Sequence, residues 1–161
     1  MIRMKHSFDD LNEIVHTLRG ENGCPWDKAQ THSSVRTCMV EEAAEVVDAI
    51  SLLERKGNPD ALREELGDVL FQVVLHSAMA EEEGLFSLDD VVDDICAKMI
   101  RRHPHVFGAY EKDENGKELR SWDDIKRRER CHKTWQESPM CKKRRKWLTY
   151  FFVKLLSFGK A

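Results

Sequence analysis

Two long amphipathic segments separated by a three-residue turn constrain the fold of this chain more than any other feature. Apolar residues recur at helical spacing from about residue 33 to residue 56, and again from residue 60 towards residue 84. The tripeptide Gly57-Asn58-Pro59 between them is typical of a helix end. Two helices joined by so short a turn pack side by side in opposite directions. The pattern therefore predicts an antiparallel helical hairpin.

Shorter helices are expected on both sides of this hairpin. Ser7 precedes the first apolar run, and a hydroxyl followed three residues later by an acid precedes each of the last two. These signals predict helices over about residues 8–19, 88–103 and 122–135, with loops over residues 21–31 and 108–120. Asp60 is the expected cap of the second hairpin helix.

The composition supports a helical fold with a single core. Only four prolines and eight glycines occur among 161 residues, of which 41% are hydrophobic. Such a chain can bury one compact core, and disorder throughout is not expected. The predicted fold class is therefore all-α, as a four- to five-helix bundle.

The charge of the chain is unevenly distributed. Its net charge is −3, yet residues 138–161 contain seven basic residues and no acid, which leaves residues 1–137 with 19 basic and 29 acidic residues, a balance of −10. An acidic body repels nucleic acid and can hold divalent cations. We expect a helical domain over residues 1–137, a basic and apolar tail of unknown role over residues 138–161, and no nucleic-acid partner.

The cysteines and the apolar stretches indicate a compartment. Five cysteines form an odd set without a C-x-x-C pair, and the N-terminus has no apolar segment of the signal-peptide kind. The longest apolar stretch, residues 147–158, is interrupted by polar residues and is too short to cross a bilayer. We therefore expect a protein of the reducing cytoplasm, with no membrane contact of the tail.

Acidic residues of the two hairpin helices share their direction with apolar side chains. At 100° per residue, four apolar residues lie within about 60° of Glu42 on its helix, namely Val35, Met39, Val46 and Ala49. On the next helix Glu65 is similarly surrounded, and Asp68 lies one turn further along. Two inward pairs of carboxylates, Glu42 with Glu45 and Glu65 with Asp68, can therefore converge between antiparallel helices.

Converging carboxylates near a core need either protons or a cation, because they repel one another and lose solvation. Oxygen ligands without paired histidines or cysteines suit Mg²⁺, with Mn²⁺ as a substitute, and Mg²⁺ leaves positions open for water and phosphate oxygens. The alternative is that these acids are ordinary surface residues of an acid-rich helical protein. The spacing alone leaves both interpretations open.

Four separated motifs resemble a known family. Residues 40–46 (VEEAAEV) and 64–74 (EELGDVLFQVV) are similar to the paired E-x-x-E and E-x-x-D signature of MazG-type nucleoside triphosphate pyrophosphohydrolases. Residues 23–32, with GCPWD and QTH, resemble that family's N-terminal segment, and residues 101–108 (RRHPHVFG) resemble the segment after its fourth helix. The motifs occur in the family's order, and the resemblance covers about residues 8–130.

The resemblance implies an all-α bundle, dimeric or higher, that hydrolyses a nucleoside triphosphate to the monophosphate and pyrophosphate with Mg²⁺. By similarity, the metal ligands are Glu42, Glu45, Glu65 and Asp68. Glu41 is either a further ligand, the group that orients the attacking water, or a solvated acid.

Basic residues downstream are candidates for binding the triphosphate. Lys98 and Arg102 lie at i,i+4 on one helix face, with Arg101 as a third candidate. The resemblance favours Lys98 and Arg102 as phosphate contacts and places Trp122 and Lys126 near the nucleotide. The alternatives are a basic helix end that complements the helix dipole and an ordinary core tryptophan.

Two other functions remain open from the sequence. The chain could be a non-catalytic helical interaction or nucleotide-binding module, which the complete acidic tetrad disfavours. Alternatively, the five consecutive basic residues 142–146 could bind nucleic acid, although they adjoin an acidic body.

Overall fold

The structure is a computed structural model that describes residues 5–108, 110, 112, 115, 116, 118 and 121–132. These residues form seven helices and no strand beyond one isolated bridge between Lys112 and Glu118. The helices are α1 (Phe8–Arg19), α2 (Pro25–Ala29), α3 (Cys38–Lys56), α4 (Asp60–Glu82), α5 (Leu88–Arg102), α6 (Pro104–Phe107) and α7 (Trp122–His132).

The all-α class is confirmed. Five helices have 11 to 23 residues, whereas α2 and α6 have only five and four. No helix in the described ranges is long and apolar enough to cross a membrane. The predicted tail, residues 138–161, and the predicted end of the last helix near residue 135 lie outside the described residues.

The chain divides into two compact units, Met1–Asp94 and Ile95–Ala161. The first contains α1 to α4 and the beginning of α5, and the second contains the end of α5 with α6 and α7. The prediction of one domain over residues 1–137 remains a prediction.

The three predicted serine caps directly precede their helices. The Ser7 hydroxyl accepts a hydrogen bond from the Asp10 N–H, and the Asp10 carboxylate accepts one from the Ser7 N–H. Serine and aspartate form the same reciprocal pair at residues 87 and 90, and the Ser121 hydroxyl accepts from the Asp124 N–H at the start of α7. Each pair satisfies N–H groups that a helix start leaves without partners.

Three predicted boundaries differ from the structure. The predicted loop over residues 21–31 contains α2, because Pro25 stands at the first helical position with a favourable φ. Helix α3 begins at Cys38 rather than near residue 33, since Thr31 and Ser34 bond each other's backbone N–H groups in a closed turn. Asp60 is the first residue of α4 rather than its cap, and its N–H donates to the Asn58 side chain.

The core of the first unit is built on the C-terminal half of α4. Its buried residues there include Val74, Leu75, Ala78 and Met79, which pack with Val15 of α1, Val35 and Leu88. The N-terminal half of α4 differs, because Leu66 and Leu70 are 51% and 40% exposed. Helix α3 packs along α4 after the turn at Gly57, whose φ of +67° suits glycine. The predicted metal ligands of α4 thus lie on its more exposed N-terminal half, next to a C-terminal half that is packed in the core.

Arg19 links three helices of this unit. Its Nε and Nη2 donate to the two carboxylate oxygens of Glu82, both at 2.7 Å, and its Nη1 donates to the carbonyl of Asp27 at 2.6 Å. The side chain is only 6% exposed. Helices α1, α2 and α4 therefore meet on one guanidinium.

We expect the Arg19→Lys variant to lose about 1–2 kcal/mol of unfolding free energy, because an ammonium cannot reproduce this planar fork. Arg19 lowers the pKa of Glu82 chiefly through its hydrogen bond. The stabilisation is thus complete above the unfolded-state pKa of a glutamate and is lost as the pH falls through the lowered folded-state pKa. Urea unfolding at pH 7, and again near the lowered pKa, measures both effects.

The matched control is Arg63→Lys. Arg63 pairs with Asp60 at 2.9 Å, but both side chains are well exposed, so little change is expected there. Equal losses in the two variants at pH 7 would contradict the linking role of Arg19.

Candidate functional site

The described hairpin brings three carboxylates together. Glu42 and Glu45 lie one turn apart on α3, and Glu65 lies on α4. One carboxylate oxygen from each lies within 4.8 Å of those of the other two. Glu42 and Glu65 are half-buried and Glu45 is exposed, so the carboxylate cluster Glu42/Glu45/Glu65 faces solvent on one side.

The electrostatics of the carboxylate cluster show that its charges are crowded. Partial desolvation, followed by the nearby charges of Asp68 and Glu45, raises the pKa of Glu42. Desolvation and then the charges of Glu45 and Asp68 likewise raise the pKa of Glu65. Asp68 is exposed but close enough to act on both groups. The protein therefore holds like charges where a cation would relieve their repulsion.

The donor set fits a hard divalent cation. Three carboxylate oxygens at mutual ligand spacing, with solvent access for water or phosphate oxygens, suit the preferences of Mg²⁺. The geometry brings together three of the four predicted metal ligands, and the fourth, Asp68, enters through its charge. Glu41 lies in the first turn of α3, is exposed and is not part of the carboxylate cluster. The roles of the four predicted ligands and of Glu41 stay predictions.

The second unit contains all five predicted substrate-binding residues. Arg101 and Arg102, at the end of α5, both bind the carboxylate of Glu129 on α7. Arg101 donates to Oε1 through Nε at 3.0 Å and Nη2 at 2.6 Å, and Arg102 donates to Oε2 through Nε at 3.1 Å and through Nη2. The two adjacent arginines are thus held side by side on one acid.

Trp122 covers part of this arginine pair. The guanidinium carbon of Arg102 lies 4.8 Å from the centroid of the Trp122 ring, within the range of a cation–π contact. The His103 ring packs on the same tryptophan at 5.1 Å, and its Nδ1 lies 2.7 Å from the carbonyl oxygen of Met99. Trp122 remains 38% exposed, so it is not an ordinary core tryptophan.

Lys98 and Lys126 differ from the arginines. Both are half-buried, and neither forms an ion pair with any residue that the structure describes. Their ammonium groups are therefore not neutralised within that part of the chain, which leaves them able to bind an external anion.

Glu129 was missed by the sequence analysis although a signal existed. It lies seven residues after Trp122, three after Lys126 and four after Ile125, so all four share one face of α7. Ile125 is 2% exposed and marks that face as the packed one. An acid on a buried face calls for a cationic partner, and the two consecutive arginines of α5 were available.

Comparison with known proteins agrees with these observations. Residues 30–107 match the family model described as the MazG nucleotide pyrophosphohydrolase domain. A Thermotoga maritima protein named nucleoside triphosphate pyrophosphohydrolase/pyrophosphatase MazG is 44% identical over 126 residues, covering 78% of this chain and 46% of that protein. The Escherichia coli K12 nucleoside triphosphate pyrophosphohydrolase is 44% identical over 129 residues, covering 80% and 48%.

An uncharacterized Bacillus subtilis protein, YabN, is 46% identical over 125 residues, covering 78% of this chain and 25% of its own length. The chain therefore spans about half the length, or less, of these relatives. The matched segment contains the carboxylate cluster and both arginines of α5. Through this segment, the chain belongs to the MazG family of nucleotide pyrophosphohydrolases.

Proposed function

We propose that this protein is a Mg²⁺-dependent nucleoside triphosphate pyrophosphohydrolase, which converts an NTP or dNTP and water into the monophosphate and pyrophosphate. The observation that carries the proposal is the carboxylate cluster, whose oxygens lie within 4.8 Å of one another inside the segment that matches the family model. The names of the relatives from T. maritima and E. coli support the same reaction.

In this proposal Glu42, Glu45, Glu65 and Asp68 hold the metal ion, and Mn²⁺ can replace Mg²⁺. When bound, the ion polarises phosphoryl oxygens, lowers the pKa of a bound water and offsets the charge of the pyrophosphate. Desolvation, followed by the repulsion among neighbouring carboxylates, raises the pKa values of Glu42 and Glu65, and such an ion removes that repulsion. Glu41 is exposed and directly precedes Glu42 in the sequence. In this proposal it orients the attacking water or is a further ligand.

The anionic substrate needs cations from the protein as well. We assign phosphate contacts to Lys98, Arg101 and Arg102 and place Trp122 and Lys126 near the nucleotide. The unpaired ammonium groups of the two lysines, within the described part of the chain, and the exposed part of Trp122 support these assignments. Arginine forks and ammonium groups are the usual protein ligands of phosphate.

The predicted partner besides the substrate is a second copy of the chain. The exposed apolar residues Leu66 and Leu70 flank Glu65 and Asp68 on α4, where a second copy could cover them. A homodimer or higher homo-oligomer and a cytoplasmic location remain expectations, and so does the absence of a nucleic-acid partner.

The alternative is a non-catalytic interaction or nucleotide-binding module that uses the same helices. Such a module has no requirement for crowded carboxylates at mutual ligand spacing, which cost stability through repulsion. The hydrolase is therefore the better supported function.

The decisive experiment measures pyrophosphate release from a panel of canonical NTPs and dNTPs, with Mg²⁺ and with a chelator. We expect release only with the metal, and we expect Mg²⁺ alone to raise the melting temperature because it relieves the repulsion in the carboxylate cluster. A folded protein that binds nucleotide but releases no pyrophosphate from any member of the panel would favour the non-catalytic module.

A further inference from the structure

We propose that Glu129 is a positioning residue, which fixes the guanidinium groups of Arg101 and Arg102 for the phosphates of the substrate. The inference rests on the proposed function, because Glu129 acts on the substrate only through the two arginines to which that function assigns phosphate contacts. Glu129 is not among the candidate site residues identified from the sequence.

The first support is the way in which the hydrogen bonds are divided. Each arginine donates through Nε and Nη2 to a different oxygen of Glu129, so one carboxylate holds two guanidinium edges. In a planar guanidinium, the Nη1 amino group then lies on the side away from that carboxylate. Neither arginine's Nη1 has a hydrogen bond to a residue within the described ranges. Donors therefore remain for an external anion.

The second support is burial. The side chains of Glu129 and Arg102 are 12% and 15% exposed, whereas Arg101 is 35% exposed. Burial raises the pKa of Glu129, but the hydrogen bonds and charges of Arg102 and Arg101 together outweigh it and lower that pKa below its ordinary value. Glu129 therefore stays ionised, and the trio of side chains retains one net positive charge.

The third support is the fixed face of Arg102. Its guanidinium is held at one edge by Glu129 and at one face by the Trp122 ring, 4.8 Å from the ring centroid. An arginine side chain that is fixed before binding loses less conformational freedom when it contacts phosphate. This favours positioning over simple competition, in which Glu129 would occupy the donors that the phosphates need.

The test compares Glu129→Gln with wild type in steady-state hydrolysis of the preferred nucleotide. Glutamine keeps the shape but removes the charge and one acceptor. We expect KM to rise about 10-fold while kcat changes much less, because the arginines bind ground state and transition state alike. In an Arg102→Ala background, the Glu129→Gln exchange should add far less to KM, since its effect passes through the arginines.

The matched control is Asp123→Asn, the same loss of charge at an exposed residue of the same helix that has no ion pair with any residue that the structure describes. It should leave KM near the wild-type value. If Glu129→Gln does not fold, Glu129→Asp keeps the charge but shortens the reach, and the same rise in KM is expected. An unchanged or lower KM in a folded Glu129 variant overturns the inference.

The two proposals can fail separately. If wild type releases pyrophosphate and the Glu129 variants match it, only the positioning role fails. If wild type binds inorganic tripolyphosphate with Mg²⁺ in calorimetry but hydrolyses no nucleotide, only the hydrolase fails, and the dissociation constant of tripolyphosphate replaces KM in the same comparison. If wild type neither binds nor hydrolyses, both proposals are overturned.

Discussion

The Glu45→Gln variant is expected to lose pyrophosphate release by a factor on the order of 100 or more at saturating nucleotide and Mg²⁺. Glu45 is the member of the carboxylate cluster that acts on both of the others, since its charge raises the pKa of Glu42 and of Glu65. Replacing it removes a ligand oxygen and a negative charge from a set of three within 4.8 Å. The measurement is kcat for pyrophosphate release, with helical circular dichroism as the folding check.

The same substitution should act in the opposite direction on the metal-free protein. Removing one of the crowded charges relieves repulsion, so the metal-free variant should melt no lower than wild type, while its gain in melting temperature from Mg²⁺ should fall. Glu54→Gln is the control, because Glu54 lies exposed on the same helix outside the carboxylate cluster. Wild-type activity in Glu45→Gln would remove the carboxylate cluster from the mechanism.

The second large effect is expected at Gly23. A Cβ atom there would lie 2.2 Å from the carbonyl oxygen of Leu18 and 2.4 Å from that of Thr17, and both of these are backbone atoms. The approach is held by the Cys24 N–H, which donates to the Leu18 carbonyl at 2.8 Å. We expect Gly23→Ala to lose on the order of 3 kcal/mol of unfolding free energy, because the chain that enters α2 must move away from α1.

Gly67→Ala is the matched control for this prediction. Gly67 lies inside α4, where an added Cβ meets nothing within 4 Å. Alanine in a helix interior is favoured over glycine, so this variant should gain about 0.5–1 kcal/mol. Urea unfolding of both variants at one pH decides the matter, and a Gly23→Ala protein as stable as wild type would show that the close approach is not required.

Much of the secondary structure could be predicted from local signals. The capping pairs at Ser7 and Ser87 and the turn at Gly57 act within three or four residues, so their sequence spacing defines helix ends directly. The start of α3 could not be predicted in the same way, because helical apolar spacing continues through residues 33–37 while the paired side chains of Thr31 and Ser34 close a turn instead.

The candidate site likewise has a part that local spacing predicts and a part that it does not. The sequence by itself determined which acids can converge, because the spacing of Glu42, Glu45 and Glu65 and the short turn between their helices leave few ways to arrange them. Only the tertiary structure decided that Gly23 must lack a side chain and that Glu129 holds two arginines. Arg101 and Arg102 meet Glu129 from a separate helix, and no residue spacing records which charge is buried between two helices. The carbonyl groups of Thr17 and Leu18 approach Gly23 because the loop folds back on the end of α1, and the residue types of the loop do not give that distance.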